Sequence, residues 1–166
     1  NEPRHRLNAY YNGTVGDLKI DFNSDLYSSS QFSKMNITES SQEYDDRLIK
    51  SSNRIDNRLF ATRLVLSYPL IGGQLSAGNE YTRTRRNDDY MTDMDAIPST
   101  NTAIHDQNNS FFAEYSRSTS IGKLGAGVRY EDVKFDYFNG DDKIDEQSRK
   151  YARWFPNFTY SNAFGD

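Results

Sequence analysis

Apolar and polar side chains alternate in the segment Phe60-Ala-Thr-Arg-Leu-Val-Leu-Ser-Tyr68. The larger apolar residues occupy every second position, and Arg63 and Ser67 lie between them. A period of two is typical of a β-strand, whose successive side chains point to opposite sides, whereas a helix repeats every 3.6 residues. The segment therefore predicts a strand with one apolar and one polar face.

The same alternation recurs from one end of the chain to the other, and helical periodicity is hard to find. Further alternating segments begin at Leu7, Leu18, Leu75, Phe111, Leu124 and Trp154. Together with the first segment they predict about seven strands, and hence an all-β fold.

Two kinds of connection alternate between the predicted strands. Short turns with glycine, which reaches the positive φ angles of tight hairpins, are predicted at 12–16, 69–73 and 119–122, and a fourth is predicted to begin at 163–166. Polar segments rich in Ser, Asn, Asp and Thr are predicted to be long loops: residues 28–53, 85–109 and 139–149. This alternation predicts an antiparallel up-and-down β-meander.

Composition excludes several classes of protein. The chain has 166 residues, of which 35% are hydrophobic, and it lacks the run of about 20 apolar residues that a membrane-spanning helix needs. A content of 14% aromatic residues is high for a disordered chain. The net charge of -4 argues against nucleic acid as a partner. Without cysteine there is neither a disulfide nor a thiolate metal site, and no cofactor is predicted.

Strands with one apolar face fit either a soluble β-sandwich or an outer-membrane β-barrel. The alternation of short and long connections favours the barrel, as do tyrosines near the turns and strand lengths close to the 9–11 residues that cross a membrane. The predicted inward face also carries many charges: Lys19, Asp21, Asp25, Arg63, Glu80 and Arg129. A secreted or surface-attached sandwich that binds carbohydrate through exposed aromatics remains the alternative.

The segment from Asn57 to Tyr81 ends a strand, makes a Gly-Gly turn and begins the next strand. It is followed by Arg85-Arg-Asn-Asp-Asp-Tyr90, Phe111-Phe-Ala-Glu-Tyr115 and Gly125-Ala-Gly-Val-Arg-Tyr-Glu131. In this strand and turn texture nearly the whole chain resembles the barrel of TonB-dependent-receptor-type outer-membrane proteins of Bacteroidetes. The resemblance implies a transmembrane β-barrel of about 22 strands around a plug. Residues 1–166 would then be a single segment of that barrel without the plug, and the chain a fragment.

The resemblance also implies a location and partners. The chain would lie in the bacterial cell outer membrane, in contact with its lipid, as the barrel wall of a nutrient receptor. The plug domain and the energising TonB system would act through the rest of the protein, and the nutrient ligand is unknown. Open strand edges of an isolated piece are expected to pair with another copy.

Catalysis is not predicted. The two histidines, His5 and His105, are far apart in the sequence, and no Ser or Asp is tied to either by spacing. The segment 139–146 superficially resembles a calcium loop, but that alignment places Phe135 and Tyr137 at ligand positions. We therefore interpret 139–146 as a turn with Asn-Gly at its apex, and predict no metal site.

Two groups of residues are candidates for binding. Arg83, Arg85 and Arg86 follow Tyr81, where a strand would leave the outer membrane interface, and are candidates for contact with anionic lipid head groups. The alternative is a solvated strand end paired with Asp88 and Asp89. The aromatic residues in or beside the long loops are candidates for ligand contact, with loop packing as the alternative: Tyr90, Tyr137 and Phe138.

Overall fold

A computed structural model describes residues 2–40, 46–94 and 97–162. The strands are β1 (Arg4–Val15), β2 (Leu18–Glu39), β3 (Arg47–Leu70), β4 (Gly73–Thr92), β5 (Thr100–Thr119), β6 (Gly122–Asn139), β7 (Asp142–Lys143) and β8 (Arg149–Ser161). A single 3₁₀ turn, Asp145–Gln147, precedes β8 within these residues. None of the described residues forms a helix long and apolar enough to cross a membrane.

All of these strands belong to one antiparallel sheet in which each long strand pairs with the next along the chain. The two-residue strand β7 and the long strand β8 both pair with β6. The prediction of an all-β, antiparallel up-and-down meander is thus confirmed. The described strands form a single layer and not two packed sheets, which does not support the alternative sandwich. The sheet is open, with β1 and β8 as its edges.

The register sorts the side chains into two faces. Leu26 lies opposite both Leu7 and Phe60, and the same pairing continues across the sheet. We call the side with these residues the apolar face; it includes Leu7, Ile20, Phe22, Leu26, Phe60, Leu64, Leu66, Leu75, Phe111, Val128, Trp154 and Phe158. The polar face carries Lys19, Asp21, Asp25, Arg63, Glu80 and Arg129, as the alternation predicts.

The prediction of long loops at 28–53 and 85–109 is wrong. β2 and β3 remain paired from Ser28–Arg58 to Glu39–Arg47, and β4 and β5 remain paired up to Tyr90–Thr100. The few apolar residues of this ribbon are scattered over both faces, as Phe32 and Met35 are, so no period of two distinguishes its sequence from that of a loop. The segment 139–149 is mostly a connection, as predicted, apart from β7 and the 3₁₀ turn.

Tight turns join the strands at the opposite end from the long hairpins. Ile71 and Gly72 have φ angles of 47° and 69°, so this turn is left-handed at both central positions, as type I′ hairpins are. At the other end of the sheet, with the long hairpins, Gly140, with φ 61°, forms the predicted Asn-Gly apex between β6 and β7. The turn predicted at 163–166 lies outside the described residues.

Candidate functional site

The apolar face is exposed. Leu7, Trp154 and Phe158 keep 64%, 67% and 71% of their accessible surface. Most of the other exposed large apolar residues at this level of the strands lie on the same face: Tyr11, Val15, Leu26, Leu64, Leu66, Tyr68, Leu75, Phe111, Val128 and Tyr160. A continuous apolar surface of this kind marks a contact with lipid or another protein. We call the part of the strands that carries these residues, from the short turns to Leu7, Leu26 and Phe60, the apolar band.

Ion pairs join three strands on the polar face, opposite the apolar band. Glu80 on β4 contacts Arg63 Nε at 3.0 Å and Arg129 Nη2 at 2.8 Å. Arg129 on β6 also contacts Glu131 at 2.6 Å. Ser110 on β5 pairs with both Glu80 and Glu131, and this small residue leaves room for Arg129 to reach across β5. The polar face therefore presents fixed charges, as the interior of a membrane barrel does.

An aromatic ring covers a glycine on the same face. The ring of Phe112 lies over Gly78, because a Cβ placed on Gly78 would come within 2.6 Å of Phe112 Cζ. A larger residue at 78 would displace the ring or the neighbouring strand, whose Leu64 carbonyl oxygen would be 2.5 Å away. Gly78 is therefore required for the close approach of β3, β4 and β5.

Two tyrosines close the short turns. Tyr115 on β5 donates a hydrogen bond to the Ile71 carbonyl at 3.0 Å, and Tyr160 on β8 donates one to the Ile121 carbonyl at 2.7 Å. Each tyrosine comes from the strand after the hairpin that it closes, 44 and 39 residues downstream of its acceptor. The sequence placed tyrosines near the turns but did not reveal this partnership, because it depends on which strand comes next in the sheet.

The structure separates the three predicted arginines. Arg83 and Arg85 lie on the same side as the apolar face, whereas Arg86 lies on the polar face, where it contacts Asp88 at 3.0 Å. Arg58, which sequence reasoning missed, lies directly opposite Arg85. The strand period alone could have placed Arg86 on the other face, but only the register of β3 against β4 brings Arg58 to Arg85.

The arginines border a groove of about 390 Å³ at the end of the apolar band. We call it the arginine groove; its lining includes Arg58, Arg83, Arg85, His5, Leu7, Leu26 and Phe60. All seven residues lie on the apolar-face side of the sheet. A cationic edge therefore adjoins an apolar floor, on the side of the band toward the long hairpins.

The predicted aromatic candidates do not come together. Tyr90 lies within β4 and Tyr137 within β6, both on the polar face. Phe138 lies on the other face, with its ring 5.0 Å from that of His105. Each of the three is half-buried. They lie in strands and not in loops, because the strands continue beyond the apolar band.

His105 has no catalytic setting. Burial, and then the positive charge of Arg85, lowers the pKa of His105 below its usual value. Its cross-strand neighbour Asp136 is held by Lys143 at 2.9 Å and Lys134 at 3.0 Å, and these lysines lower the pKa of Asp136. Across the part of the chain that the structure describes, no group of three or more acidic or histidine side chains could hold a metal ion.

An exposed apolar face opposite a charged face, on one meandering sheet, is the arrangement of an outer-membrane barrel wall. Residues 13–166 match the model of the outer membrane protein beta-barrel family. The chain belongs to this family. Because the proteins of this family are outer-membrane β-barrels, the chain is located in the outer membrane. In such barrels the apolar face of each strand is the one that meets lipid. No curated protein matches the sequence.

Solved structures share the fold of this barrel segment. The ferric citrate transporter FecA in its unliganded form superposes with a TM-score of 0.60 and 10% identity, over 98% of this chain and 25% of that chain. The copper transporter OprC gives 0.54 and 14%, over 95% of this chain and 26% of that chain. At such identities the likeness shows the fold alone. The chain spans about a quarter of the length of each of these structures.

Proposed function

We propose that this chain is part of the barrel wall of a TonB-dependent outer-membrane receptor that imports a nutrient, of the type found in Bacteroidetes. The observation that carries the proposal is one sheet with an uncovered apolar band on one face and the Glu80 ion-pair network on the other. Similarity to barrels named as a ferric citrate transporter and a copper transporter supports import. The chain performs no chemistry of its own in this role.

The wall has a structural mechanism. In lipid every backbone N–H and C=O must find a partner within the protein, so a sheet can span the membrane only when its edges are closed. The edges β1 and β8 therefore pair with further strands of the complete barrel. The polar face encloses the plug, and its fixed charges at Glu80 and Arg129 are available to polar groups of the plug.

The nutrient enters past the long hairpins. The β2–β3 and β4–β5 hairpins continue beyond the apolar band and form part of the entrance. Tyr90 on β4 and Tyr137 on β6 lie on the polar face at this end of the sheet, so they face the path that a ligand takes into the barrel.

A cell-based experiment tests the location and the import separately. These 166 residues contain no cysteine, and Ser99→Cys and Leu64→Cys each introduce one into the complete reading frame, whose unsubstituted form is labelled in parallel as the baseline. A membrane-impermeant maleimide on intact cells is expected to label the first and not the second. A protein that remains monodisperse in water without detergent would overturn the location.

Import is tested by growth. We expect deletion of the gene to abolish growth on one member of a panel of scarce nutrients, and loss of TonB to have the same effect. Complementation with the complete reading frame is the control. Unimpaired growth of the deletion strain on every nutrient of a panel of iron chelates, copper, cobalamins and glycans would contradict import while leaving the location intact.

A further inference from the structure

Three arginines of the arginine groove have no counter-ion in the described residues. Arg58, Arg83 and Arg85 make no ion pair there, whereas Arg86, their neighbour on the opposite face, is paired with Asp88. Two carboxylates on the same side are engaged elsewhere: Asp56 contacts Arg54 at 3.0 Å, and Asp136 is held by its two lysines. Asp132, also on this side, makes no ion pair with the three arginines. The groove therefore carries positive charge that the described residues do not neutralise.

The arrangement of two of these arginines is unfavourable without an anion. Arg58 and Arg85 are directly opposite each other on β3 and β4, and like charges at such positions destabilise a sheet. Burial lowers the pKa of His105, and the positive charge of Arg85 beside it lowers that pKa further. An anionic group between the guanidinium groups would convert repulsion into charge-assisted hydrogen bonds.

The floor of the groove has a different chemistry. Leu7, Leu26 and Phe60 line it from three adjacent strands, and Leu7 and Leu26 are 64% and 48% exposed. These residues end the apolar band on the side of the long hairpins. In outer-membrane barrels the short turns lie in the periplasm and the long connections lie outside. The groove therefore faces the outer leaflet at the depth where head groups meet acyl chains.

We propose that the arginine groove binds a phosphorylated lipid of the outer leaflet, with Arg58, Arg83 and Arg85 on the phosphate and an acyl chain on Leu7, Leu26 and Phe60. Guanidinium groups suit phosphate because they donate parallel hydrogen bonds. The site requires the lipid-facing orientation on which the proposed function also rests, but it does not require import. Its occupant is a lipid and not a free phosphate, because the apolar floor has no role for an inorganic ion.

The test uses the protein from the complete reading frame, purified in detergent and stripped of lipid. Binding of diphosphoryl lipid A is measured by native mass spectrometry for the wild type and for the triple variant R58Q/R83Q/R85Q. Each arginine near an anionic lipid surface contributes about fivefold to affinity, so the triple variant is expected to bind about a hundredfold more weakly. Unchanged affinity would overturn the proposal.

Two further variants keep the result interpretable. R86Q removes an arginine of the same sequence cluster from the opposite face and is expected to bind lipid like the wild type. The single variant Arg83→Gln, expected to weaken binding several-fold, replaces the triple variant if that protein does not fold. Folding of each is checked by the shift in gel mobility between unheated and heated samples. Equal losses in R86Q and Arg83→Gln would contradict the proposed site.

The lipid probe is also varied. Lipid A without phosphate groups is expected to lose the arginine-dependent part of the affinity, and inorganic phosphate alone is expected not to bind measurably. Leu26→Asn is expected to weaken lipid binding because it removes part of the apolar floor. If phosphate-free lipid bound as tightly as the diphosphoryl form, the arginines would have no role. Lipid binding is measured on the purified protein, so its outcome does not depend on whether the protein imports a nutrient.

Discussion

Ile71 has a strained backbone conformation that another residue at this position would relieve. It is the non-glycine residue with positive φ in the described part of the chain, at 47°, and it is β-branched. A β-branched residue is disfavoured in the left-handed region, whereas asparagine enters it readily and Asn-Gly is the preferred pair of a type I′ turn. The strain remains because Gly72 and the Tyr115 hydrogen bond hold the turn.

Replacing Ile71 by Asn should therefore stabilise the protein by about 1 kcal/mol. Unfolding by guanidinium in detergent, with the midpoint read from tryptophan fluorescence, measures the gain. The matched control is Ile121→Asn, since Ile121 also occupies an exposed short turn but does not have a positive φ. Equal gains at the two positions would show that removal of an exposed apolar residue, and not strain, is the cause.

Asp136 couples stability to pH at the far end of β6. Its pKa is lowered by hydrogen bonds and charge from Lys143 and Lys134, so the folded protein prefers the carboxylate more than the unfolded chain does. A carboxyl with a lowered pKa stabilises the fold above its ordinary pKa, near 4, and loses that contribution as the pH falls through the lowered value.

Below about pH 4 the wild type should therefore lose about 0.5 kcal/mol that the variant Asp136→Asn lacks already at neutral pH. Guanidinium unfolding from pH 3 to pH 7 measures the difference. Asp132→Asn is the control, because Asp132 lies on the same side of β6 and makes no ion pair among the described residues. Parallel pH profiles for wild type and Asp136→Asn would contradict the assignment.

At the scale of elements, the ion pairs of Glu80 connect side chains of three strands. Arg63, Glu80 and Arg129 come from β3, β4 and β6, so their contacts reach beyond the pairing of adjacent strands. Arg129 crosses β5 beside Ser110 to reach Glu80, so this contact links β6 directly to β4 in addition to the backbone pairing through β5.

Glu80→Gln should destabilise the sheet by about 1 kcal/mol, because Arg63 loses its carboxylate and Arg129 retains only Glu131. The free energy of unfolding in detergent is the measurement. Glu114→Gln is the matched control, since Glu114 lies on the same face of β5 and makes no ion pair within the described ranges. A loss as large in the control would mean that any change of charge on this face has the same cost.

The molecule as a whole is organised by two unlike faces on one sheet. Adjacent residues in the apolar band belong to opposite environments, as Leu64 and Val65 do on β3. A charge on the lipid face of a barrel costs about 2–4 kcal/mol near the bilayer midplane, whereas the interior tolerates it. The difference between neighbouring positions therefore reports the orientation of the entire sheet.

Leu64→Arg should thus lower the yield of folded protein in lipid vesicles and destabilise it by about 2 kcal/mol or more. Val65→Arg, one residue along the chain and of identical charge, should have a much smaller effect. Refolding into vesicles followed by guanidinium titration compares the two. A larger cost at Val65 would reverse the assignment of the two faces.

Sequence reasoning reached the faces but not the extent of the strands. Alternation in 60–68 translates directly into strand faces, and the register then follows from short turns of fixed length. The strand extensions 28–39 and 85–92 were not predicted, because neither of their faces is consistently apolar and their sequence shows no alternation. Arg58 escaped for another reason: its position opposite Arg85 depends on pairing between strands, which no local pattern contains.

The long β2–β3 hairpin also extends far beyond the apolar band. From Leu26, where the apolar band ends, to Glu39, the ribbon extends about 40 Å at about 3.3 Å per residue. A paired ladder holds that span far more stiffly than a loop of equal length. It places Glu39 and Arg47, the last pair of the ladder, well beyond the apolar band. Its length can be trimmed in steps of two paired residues, such as 31–32 with 54–55, without exchanging the faces.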